Sequence, residues 1–573
     1  MNYFGVYHQD YVQRNGSICD APCVSKGRMM LCAHAAATEG GRIAMVAGRM
    51  RGRAALASAL GRPREAEAAR LVLAAYEKWG ADYPRHIEGP VVTCVMDAGA
   101  DAMVLSRDRM GEQPVFYSGD GGKLAFSDHP DTLLKNASAE PIVDAGGLRE
   151  LFGLGPARTP GRTYFRDIQA LEPGCALVLA GENLNIRRYF DIGPAPHSDD
   201  EGKTIETVRG LLEDAVNDIL PLNPAVMLSG GLDSTALTAL LAAHRQGIMS
   251  FSVDYQDNER DFQANAFRPE MDGPYVLQAV RACHTEHRTV VLDAQSLASA
   301  LGRAVSLRGF PGMADIDTSL LLFSRDIARY ARNVVSGECG DEVFGGYPWF
   351  RGDAPLDGFP WSGSLELREG LLRPEVRESL RLKEYVQDTF ETQRAAADPG
   401  PGWDARERRL KTMQKLCFEY FMTNLQERAL RMCEGAGVRV LTPLCDERLA
   451  QYVYNVPWDM KFMGGQEKGL FRAAVADLLP EPLLHRTKSP YPKTCSPQYA
   501  QILRQMALRL AMDREAPIFQ LVDPAEVARI ARSDLNPVDT PWFGQLMAGA
   551  QLLGYLWQIN RWMRERNVTL MLQ

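Results

Sequence analysis

The sequence lacks an excess of positive charge. Its 573 residues include 64 Lys and Arg against 72 Asp and Glu, which gives a formal net charge of −8. A protein that binds nucleic acid without regard to sequence normally carries a basic surface. We therefore expect no nucleic-acid partner.

Long apolar runs are also missing, and cysteine is sparse. No run of 18 apolar residues occurs, which predicts that no helix spans a membrane. The first residues show no basic start followed by an apolar core, the pattern of a secretory signal. The 11 cysteines are scattered, with no pair of C-x-x-C knuckles. These absences predict a soluble cytoplasmic protein with reduced thiols.

The remaining composition is that of a folded globular protein. Hydrophobic residues make up 46% of the chain and charged residues 24%, close to the average for soluble domains. A length of 573 residues suggests several domains at roughly 150 residues each, although large α/β domains reduce that number to two. Disorder is therefore not expected as the main state.

The first third of the chain has the pattern of a strand-rich domain. Short apolar runs broken by Gly, Asp and Pro are typical of packed strands. Residues 65–80 have helical spacing and end at Gly80, a favourable C-cap. Residues 191–202 follow, rich in Pro, Gly and Asp, and they indicate a domain boundary.

The chain after this boundary has a different pattern. Apolar strands at 225–228 and 250–255 flank a helix, which is the βαβ arrangement of a parallel sheet. The last third of the chain is largely helical. We therefore predict a strand-rich domain over residues 1–195 and an α/β domain over residues 200–573.

A glycine-rich turn joins the first of these strands to its helix. Its residues are Ser229, Gly230, Gly231, Leu232, Asp233, Ser234 and Thr235. Glycine lets the backbone turn tightly and approach a ligand, and the helix start presents free N–H groups to an anion. Asp233 would repel a bare phosphate, so its position predicts that it holds Mg²⁺. The turn is thus predicted to bind phosphate.

Four strings carry a resemblance to a known family. The glycine-rich turn resembles the pyrophosphate-binding loop of ATP-pyrophosphatases, which split ATP into AMP and pyrophosphate. Residues 336–347, SGECGDEVFGGY, resemble the asparagine synthetase signature. Residues 486–494 resemble the lysine loop of the long bacterial members, and residues 153–161 also recur there. The chain is therefore similar to asparagine synthetases over nearly its whole length.

The resemblance implies a fold of two α/β domains. The N-terminal domain is expected to be an Ntn-hydrolase-like α+β sandwich, a degenerate relative of class II glutaminases. The C-terminal domain is expected to be a doubly wound parallel-sheet ATP-pyrophosphatase domain with helical additions. ATP and Mg²⁺ are the implied cofactors.

Nucleotide-binding roles follow from the resemblance. Leu228 and Val253 lie where family members hold adenine through backbone contacts. Ser336 and Gly337 lie at the positions where family members close over the nucleotide. Asp233 and Asp341 match the aspartates that hold magnesium and pyrophosphate.

Catalytic roles follow in the same way. Glu338 matches the acid beside the reacting carboxylate and attacking amine, so it is the candidate base. Lys488 matches the lysine that neutralises charge as the tetrahedral species collapses. Adenylation brings together a triphosphate and a second anion, which needs metal and lysine charge, and amide formation needs a group that removes a proton.

The acyl-substrate pocket is predicted less directly. Asp315 and Asp317 precede a helix, where one of them is a suitable N-cap, and family position places them with Tyr347 near the acyl substrate. Family members carry an E-x-R-x-P-F-x-D pattern where this chain has Arg439 and Leu441. The swapped charge near the active cleft suggests either an acyl substrate other than aspartate or a local repacking.

The N-terminal domain lacks the residues of a working glutaminase. Family members that hydrolyse glutamine begin Met-Cys-Gly, whereas this chain begins Met-Asn-Tyr, and the amide of Asn2 cannot act as a thiolate nucleophile. The family's arginine is absent from residues 34–37, and its Asn and Glu are absent from residues 47–52. The HRGPD string is missing. We therefore expect no glutamine hydrolysis.

Two branches of the family share this loss. β-Lactam and carbapenam synthetases close a ring with an amine of the same substrate, and lasso-peptide cyclases join a peptide's N-terminal amine to a side-chain carboxylate. The β-lactam branch has tyrosine at the position of Glu338, which weighs against that branch here.

The predicted activity is an Mg·ATP-dependent amide ligase that adenylates a small-molecule or peptide carboxylate and joins it to an amine, in specialised metabolism. The alternatives are asparagine synthesis from free ammonia or a partner glutaminase, intramolecular ring closure, and a catalytically silent binding subunit. A homodimer and pathway partner proteins are also expected.

Overall fold

The chain is described by a computed structural model over residues 3–7, 23–26, 29–119, 122–137, 139–264, 268–533 and 541–572. It divides into two compact units. Unit 1 comprises Met1–Leu151, Arg158–Asp191 and Asn567–Gln573, and unit 2 comprises Phe152–Ala157 and Ile192–Arg566. The contiguous ranges predicted from the sequence contain no such exchange of short segments.

Unit 1 is built largely from short antiparallel strands. They are β1 (Phe4–Tyr7), β2 (Cys23–Lys26), β3 (Met29–Cys32), β4 (Ala35–Glu39), β5 (Arg42–Gly48), β6 (Val91–Asp97), β7 (Ala102–Ser106), β8 (Phe116–Gly119), β9 (Leu124–Ser127), β10 (Ile142–Asp144), β11 (Gln169–Ala170), β12 (Cys175–Ala180) and β13 (Asn183–Arg188). One sheet has the order β11-β8-β9-β1-β3-β2 and another the order β13-β12-β7-β6-β5-β4. The C-terminal strand Thr569–Met571 pairs in parallel with β10.

These two sheets share one apolar core, so they form a sandwich. Leu31 and Phe126 of the first sheet pack with Met45, Cys94 and Leu177 of the second. Successive side chains of a strand point to opposite faces. The alternate residues of the second sheet, such as Val46 and Val95, are also apolar and form its other face.

Helices cover that other face. The helices of unit 1 are α1 (Arg53–Ala59), α2 (Ala68–Trp79), α3 (Pro130–Asn136) and α4 (Ala145–Arg149). Val91 and Val95 of β6 belong to the core formed with Leu71 of α2. The predicted helix over 65–80 is therefore present, and its C-cap Gly80 has a φ of 57°.

One prediction about unit 1 is wrong. Cys23 of β2 and Cys32 of β3 face each other in register and are joined by a disulfide, so the expectation of reduced thiols fails for this pair. Adjacent antiparallel strands bring two such side chains together, although nine residues separate them in the chain.

Unit 2 is centred on a parallel sheet. Its strands are β14 (Ala225–Met227), β15 (Met249–Tyr255), β16 (Glu286–Leu292), β17 (Asn333–Val335) and β18 (Arg439–Leu441), in the order β16-β15-β14-β17-β18. Both predicted strands of the βαβ pattern are present as β14 and β15. The sequence therefore predicted the parallel sheet correctly.

Helices make up most of the rest of unit 2. They are α5 (Glu201–Asn217), α6 (Leu232–His244), α7 (Asn258–Asp261), α8 (Gly273–Cys283), α9 (Ala294–Ser299), α10 (Leu301–Arg308), α11 (Asp315–Ile327), α12 (Gly340–Phe344), α13 (Leu365–Leu371), α14 (Pro374–Leu380), α15 (Leu382–Ala396), α16 (Ala405–Leu416), α17 (Thr423–Ala436), α18 (Glu447–Asn455), α19 (Trp458–Lys461), α20 (Gly469–Ala474), α21 (Glu481–Leu484), α22 (Pro497–Met512), α23 (Pro524–Arg532) and α24 (Gly549–Arg566), and the C-terminal strand of unit 1 is β19. Within the described ranges, none of the helices is long and apolar enough to cross a membrane.

The order of the strands positions the site. β14 pairs with both β15 and β17, so the loops that follow these strands leave the same edge of the sheet side by side. Ligands of open parallel sheets bind at this carboxyl edge. The glycine-rich turn follows β14 and the signature string follows β17, which brings two of the predicted motifs together.

Candidate active site

The glycine-rich turn is held by its own hydroxyl groups. The Ser229 and Ser234 hydroxyl oxygens lie 3.0 Å apart, and the Gly231 N–H donates to Ser229 Oγ at 3.3 Å. Gly230 has a φ of 70°, and a Cβ there would lie 2.7 Å from the backbone nitrogen of Val276. The tight turn therefore needs glycine, as the sequence predicted.

The signature loop packs directly against this turn. A Cβ on Gly337 would lie 3.1 Å from Cβ of Asp233, so the two loops are in close contact. The Ser336 N–H donates to the Leu441 carbonyl at 2.9 Å, and the Glu338 N–H donates to Ser336 Oγ at 3.4 Å. These contacts fix Glu338 and Asp341 opposite Asp233.

Two lysines and two aspartates form a compact charge cluster. Lys468 Nζ lies 2.7 and 2.5 Å from the two carboxylate oxygens of Asp233 and 2.6 Å from Oδ1 of Asp341. Lys488 Nζ contacts the other oxygen of Asp341. All four side chains line one cavity, together with Glu338. A cavity with two carboxylates and two ammonium groups can bind both a cation and an anion.

The protein environment shifts the pKa values of Asp233 and Asp341 in opposite directions. Burial raises the pKa of Asp233, and Lys468 offsets this only in part. Burial acts on Asp341 as well, but the ammonium groups of Lys468 and Lys488 outweigh it and hold the pKa of Asp341 at about 2. Asp341 is therefore the carboxylate that stays charged over the whole physiological range.

Glu338 is a glutamate that lines the cavity. Burial raises the pKa of its carboxyl, while the charges of Arg428 and Lys488 lower it in part. The neighbouring Glu342 is more deeply buried, and burial with nearby Asp341 raises its pKa to about 8. Glu342 accepts a 2.8 Å hydrogen bond from the Tyr347 hydroxyl, which packs it away from the cavity. Glu338 is thus the better placed proton acceptor.

Another part of the cavity wall is apolar, and the guanidinium of Arg486 also lines the cavity. Leu228, Val253 and Val276 line it, which suits a flat apolar ring. Arg486 donates to the Ser229 carbonyl at 3.1 Å and is paired with the carboxylate of Asp272. The lysine loop is thereby anchored to the glycine-rich turn.

The cluster suits a magnesium ion that arrives with phosphate groups. Lys468 Nζ contacts the carboxylates of both Asp233 and Asp341, so oxygens of the two side chains converge on one position that a cation can occupy. In the part of the chain that the structure describes, no three His, Cys, Asp or Glu side chains form a fuller metal site. Mg²⁺ is typically held by one or two carboxylates, with phosphate and water completing the shell. The two aspartates therefore fit the ion that the sequence assigned to them.

Most of the predicted site residues lie on this one cavity. They are Leu228, Ser229, Gly231, Leu232, Asp233, Ser234, Val253, Ser336, Gly337, Glu338, Asp341, Tyr347 and Lys488. Thr235 is buried and its hydroxyl donates to the Gly231 carbonyl at 2.7 Å, so it supports the turn instead of facing the cavity.

Asp315 and Asp317 lie behind the wall of the cavity. Both are buried, and Asp317 is paired with Arg308 and Arg428. Burial raises the pKa of Asp315 to about 6. This placement does not support direct substrate contact for either carboxylate.

The swapped charge pair also lies away from the cavity. Arg439 is exposed at the start of β18, and Leu441 is buried at its end. Only Val440 between them lines the cavity. The swap therefore places no charge on the cavity wall and gives no support to an acyl substrate other than aspartate, because alternate residues of a strand face opposite sides.

Three cations of the site were missed from the sequence. Lys468, Arg428 and Arg472 line the cavity but stand in helices or loops far along the chain, whereas Arg486 belongs to the predicted lysine loop. Lys468 is 235 residues from Asp233. Only a resemblance that covered residues 467–472 in detail could have identified Lys468, since no local spacing marks it.

Comparisons with known proteins identify the family of this chain. A family model described as asparagine synthase matches residues 207–564, and a model described as a glutamine amidotransferase domain matches residues 53–190. The chain is 38% identical over 502 residues to asparagine synthetase [glutamine-hydrolyzing] 3 of Bacillus subtilis, covering 86% of this chain and 81% of that protein.

More distant similarities were also found. A putative asparagine synthetase [glutamine-hydrolyzing] of Mycobacterium bovis is 24% identical over 467 residues, which is 74% of this chain and 69% of that protein. A solved glutamine phosphoribosylpyrophosphate amidotransferase from B. subtilis covers 51% of this chain and 75% of its own, at 10% identity and a TM-score of 0.22, too low to bear on the fold. On the family model and the Bacillus relative, the chain belongs to the asparagine synthetase family of ATP-dependent amide ligases.

Proposed function

We propose that the protein adenylates a substrate carboxylate and condenses it with an amine that does not come from its own hydrolysis of glutamine. One observation carries the first half: Asp233, Asp341, Lys468 and Lys488 converge in a cavity with Glu338. This cluster can hold the magnesium complex of ATP beside a second anion, which is the arrangement that adenylation needs.

The first chemical step is the attack of a carboxylate oxygen on the α-phosphorus of ATP. The bond to the β-phosphate breaks, and pyrophosphate leaves with an acyl-AMP remaining. Magnesium bound with ATP supplies positive charge to the leaving pyrophosphate. Lys468 and Lys488 orient the phosphate oxygens, and the N–H groups at the start of α6 face the same anion.

In the second step, an amine attacks the acyl carbon and AMP leaves. The attacking nitrogen must lose a proton, and Glu338 is positioned to accept it. Lys488 neutralises the oxyanion of the tetrahedral species as that species collapses. The balanced products are an amide, AMP and pyrophosphate.

The second half of the proposal concerns the amine source. In unit 1, Cys23 and Cys32 are joined in a disulfide, so neither offers a thiolate. Burial raises the pKa of Cys94 well above its usual value and that of Cys175 to about 11. A glutaminase nucleophile must be an exposed thiolate. Asn2 and Cys19 lie outside the described residues, but an amide at position 2 supplies no nucleophile.

The test uses pyrophosphate exchange into ATP with a panel of carboxylic acids. The panel contains L-aspartate, L-glutamate and a peptide with a free N-terminal amine and one aspartate side chain. Exchange with one of these acids, followed by an amide product that needs no glutamine, is the expected result. Exchange with none of them, at saturating ATP and magnesium, would leave a binding subunit as the better account.

The product separates the remaining forms of the proposal. A peptide that loses one water without added amine indicates intramolecular closure, whereas aspartate converted only with added ammonium indicates asparagine synthesis. We also propose that the enzyme serves specialised metabolism in the cytoplasm as a homodimer with pathway partners. Sedimentation of the purified chain tests the dimer.

A further inference from the structure

A buried chain of alternating charges stands behind the candidate base. Arg308 pairs with Asp317 at 3.3 Å, Arg428 pairs with Asp317 at 3.4 Å, and Arg428 pairs with Glu338 at 3.3 Å. The side chains of Arg308, Asp317 and Arg428 are 0%, 1% and 2% exposed, whereas that of Glu338 is 22% exposed. Glu338 is therefore the most exposed member of this chain of charges, and both Glu338 and Arg428 line the cavity.

Arg428 connects Glu338 to two other walls of the cavity. Its guanidinium donates to the Ile316 carbonyl at 2.9 Å, at the start of α11. It also lies 4.7 Å from the ring centre of Tyr491, in the lysine loop that carries Lys488. Tyr491 in turn has its hydroxyl 2.8 Å from that of Ser319. One side chain thus joins the signature loop, α11 and the lysine loop.

These contacts occupy the guanidinium on its faces and edges. A planar guanidinium is suited to bind two carboxylates and stack on a ring at once. Arg428 lines the cavity, and both of its terminal nitrogens already donate to protein groups, one to Glu338 and the other to the Ile316 carbonyl. Its position therefore favours a role exerted on Glu338 over direct binding of substrate.

The charges that face Glu338 come from four elements of unit 2. Arg428 on α17 and Lys488 on the lysine loop attract its carboxylate, while Asp341 on α12 and Asp233 on α6 repel it. Burial raises its pKa, and Arg428 is the largest influence in the opposite direction. Loss of Arg428 would leave Lys488 as the remaining attractive charge, and Lys488 is shared with Asp341.

We propose that Arg428 is a positioning residue for amide formation, which rests on the proposed function: its guanidinium holds the Glu338 carboxylate toward the attacking amine and ties it to the lysine loop. Arg308 and Asp317 are the buried support of that guanidinium. Pyrophosphate exchange does not need a proton acceptor, so it depends on Arg428 much less than amide formation does.

The test compares Arg428→Met and Arg428→Lys with Arg431→Met. Arg431 is a buried arginine of the same helix that does not line the cavity, so it is the matched control. The acids are L-aspartate and an N-acetylated peptide with one aspartate side chain, so that the amine comes only from the added compound. That compound is ammonium chloride or hydroxylamine. Hydroxylamine is already uncharged at neutral pH, so no proton has to be removed from it before it attacks.

With ammonium, Arg428→Met should lower the rate of amide formation about 10-fold to 100-fold, which is at most the lower end of the about 10²-fold to 10⁴-fold that general-base catalysis supplies, because Glu338 itself is still present. The acidic limb of the pH profile should move to higher pH, since the pKa of Glu338 rises without the guanidinium. Arg428→Lys keeps the positive charge but loses the planar, forked guanidinium. The rate of amide formation should therefore fall, while the acidic limb of its pH profile stays at the same pH. Hydroxylamine and pyrophosphate exchange should be affected by less than a few-fold.

A second measurement needs no substrate. Infrared difference titration, with Glu338→Gln used to identify the Glu338 carboxyl band, should show a higher midpoint in Arg428→Met and an unchanged one in Arg431→Met. An equal midpoint in Arg428→Met and wild type would overturn the proposal. So would equal losses with ammonium and hydroxylamine, because a merely structural residue would affect both.

The two proposals fail in different ways. If wild type gives no pyrophosphate exchange with either acid, the proposed function is wrong for those acids, while the titration still decides the role of Arg428. If exchange occurs and Arg428→Lys matches wild type in rate and pH profile, only the positioning role is wrong. Thermal melting of each variant identifies any that does not fold, and Arg428→Lys then carries the test.

Discussion

Unit 1 and unit 2 carry different parts of the family's chemistry. Unit 2 keeps a charge cluster in which Asp233, Asp341, Lys468 and Lys488 balance one another. The cysteines described in unit 1 are either joined in a disulfide or buried, so a family fold is present there without a described nucleophile. A scaffold and its chemistry are thus separable, because packing depends on apolar pattern and catalysis on a few placed groups.

The largest expected effect is in unit 2. The double variant Asp233→Ala/Asp341→Ala should lower pyrophosphate exchange by at least about 10³-fold, since even one oriented charge-stabilising group typically contributes about 10²-fold to 10³-fold. Circular dichroism should show an intact fold. The control is Asp326→Ala, an aspartate outside the cavity whose partner is Arg329. Exchange within 10-fold of wild type in the double variant would remove the metal assignment.

Glu338→Gln should separate the two chemical steps within unit 2. Amide formation with ammonium should fall about 10²-fold or more, because the proton acceptor is lost. Pyrophosphate exchange should change by only a few-fold, since adenylation needs no base. Rapid-quench measurement of acyl-AMP and product resolves the steps. Equal losses in both would show that Glu338 serves binding, and an unchanged overall rate would place the base elsewhere.

The pH dependence should distinguish the same two steps with a smaller effect. Burial raises the pKa of Glu338 above the usual value of about 4.3 for glutamate. The ionised form is the base, so amide formation should decrease about 10-fold per pH unit below that raised pKa. The pKa of Asp341 is held at about 2, whereas burial raises that of Asp233, so an acidic limb in exchange should come from Asp233 and should persist in Glu338→Gln. Initial rates of both reactions on one buffer series provide the comparison.

The smallest expected effect is a negative one in unit 1. Asn2→Cys alone should not produce glutamine hydrolysis, because the family's arginine, Asn and Glu are also missing, and members of such a unit are strongly non-additive. Isotopically labelled glutamine should yield no labelled glutamate or amide in either protein.

Labelled glutamate formed by the unaltered chain at the rate of amide formation would contradict this account. Cys19 would then become the candidate nucleophile, and Cys19→Ser would be the next variant. Labelled glutamate formed only by Asn2→Cys would show that the rest of the glutaminase site is intact.

The sequence predicted those features that depend on local pattern. The strand–turn–helix pattern around Ser229–Thr235 predicted β14, the turn and α6, because glycine, hydroxyl groups and apolar period act within a few residues. The short apolar run of β6 and the C-cap at Gly80 are local in the same sense. The motif residues Glu338, Asp341 and Lys488 were identified by resemblance, since each stands in a recognisable string.

Tertiary structure decided what depends on contact between distant segments. Lys468 reaches Asp233 across 235 residues, and Arg428 reaches Glu338 across 90. Asp317 has the residue type of a pocket acid, but two arginines enclose it, and Arg439 faces solvent in spite of its motif position. Burial and charge pairing depend on which residues become neighbours when the chain folds. The amino-acid sequence by itself therefore determined the motifs and the parallel sheet, and the tertiary structure decided which charged side chains meet.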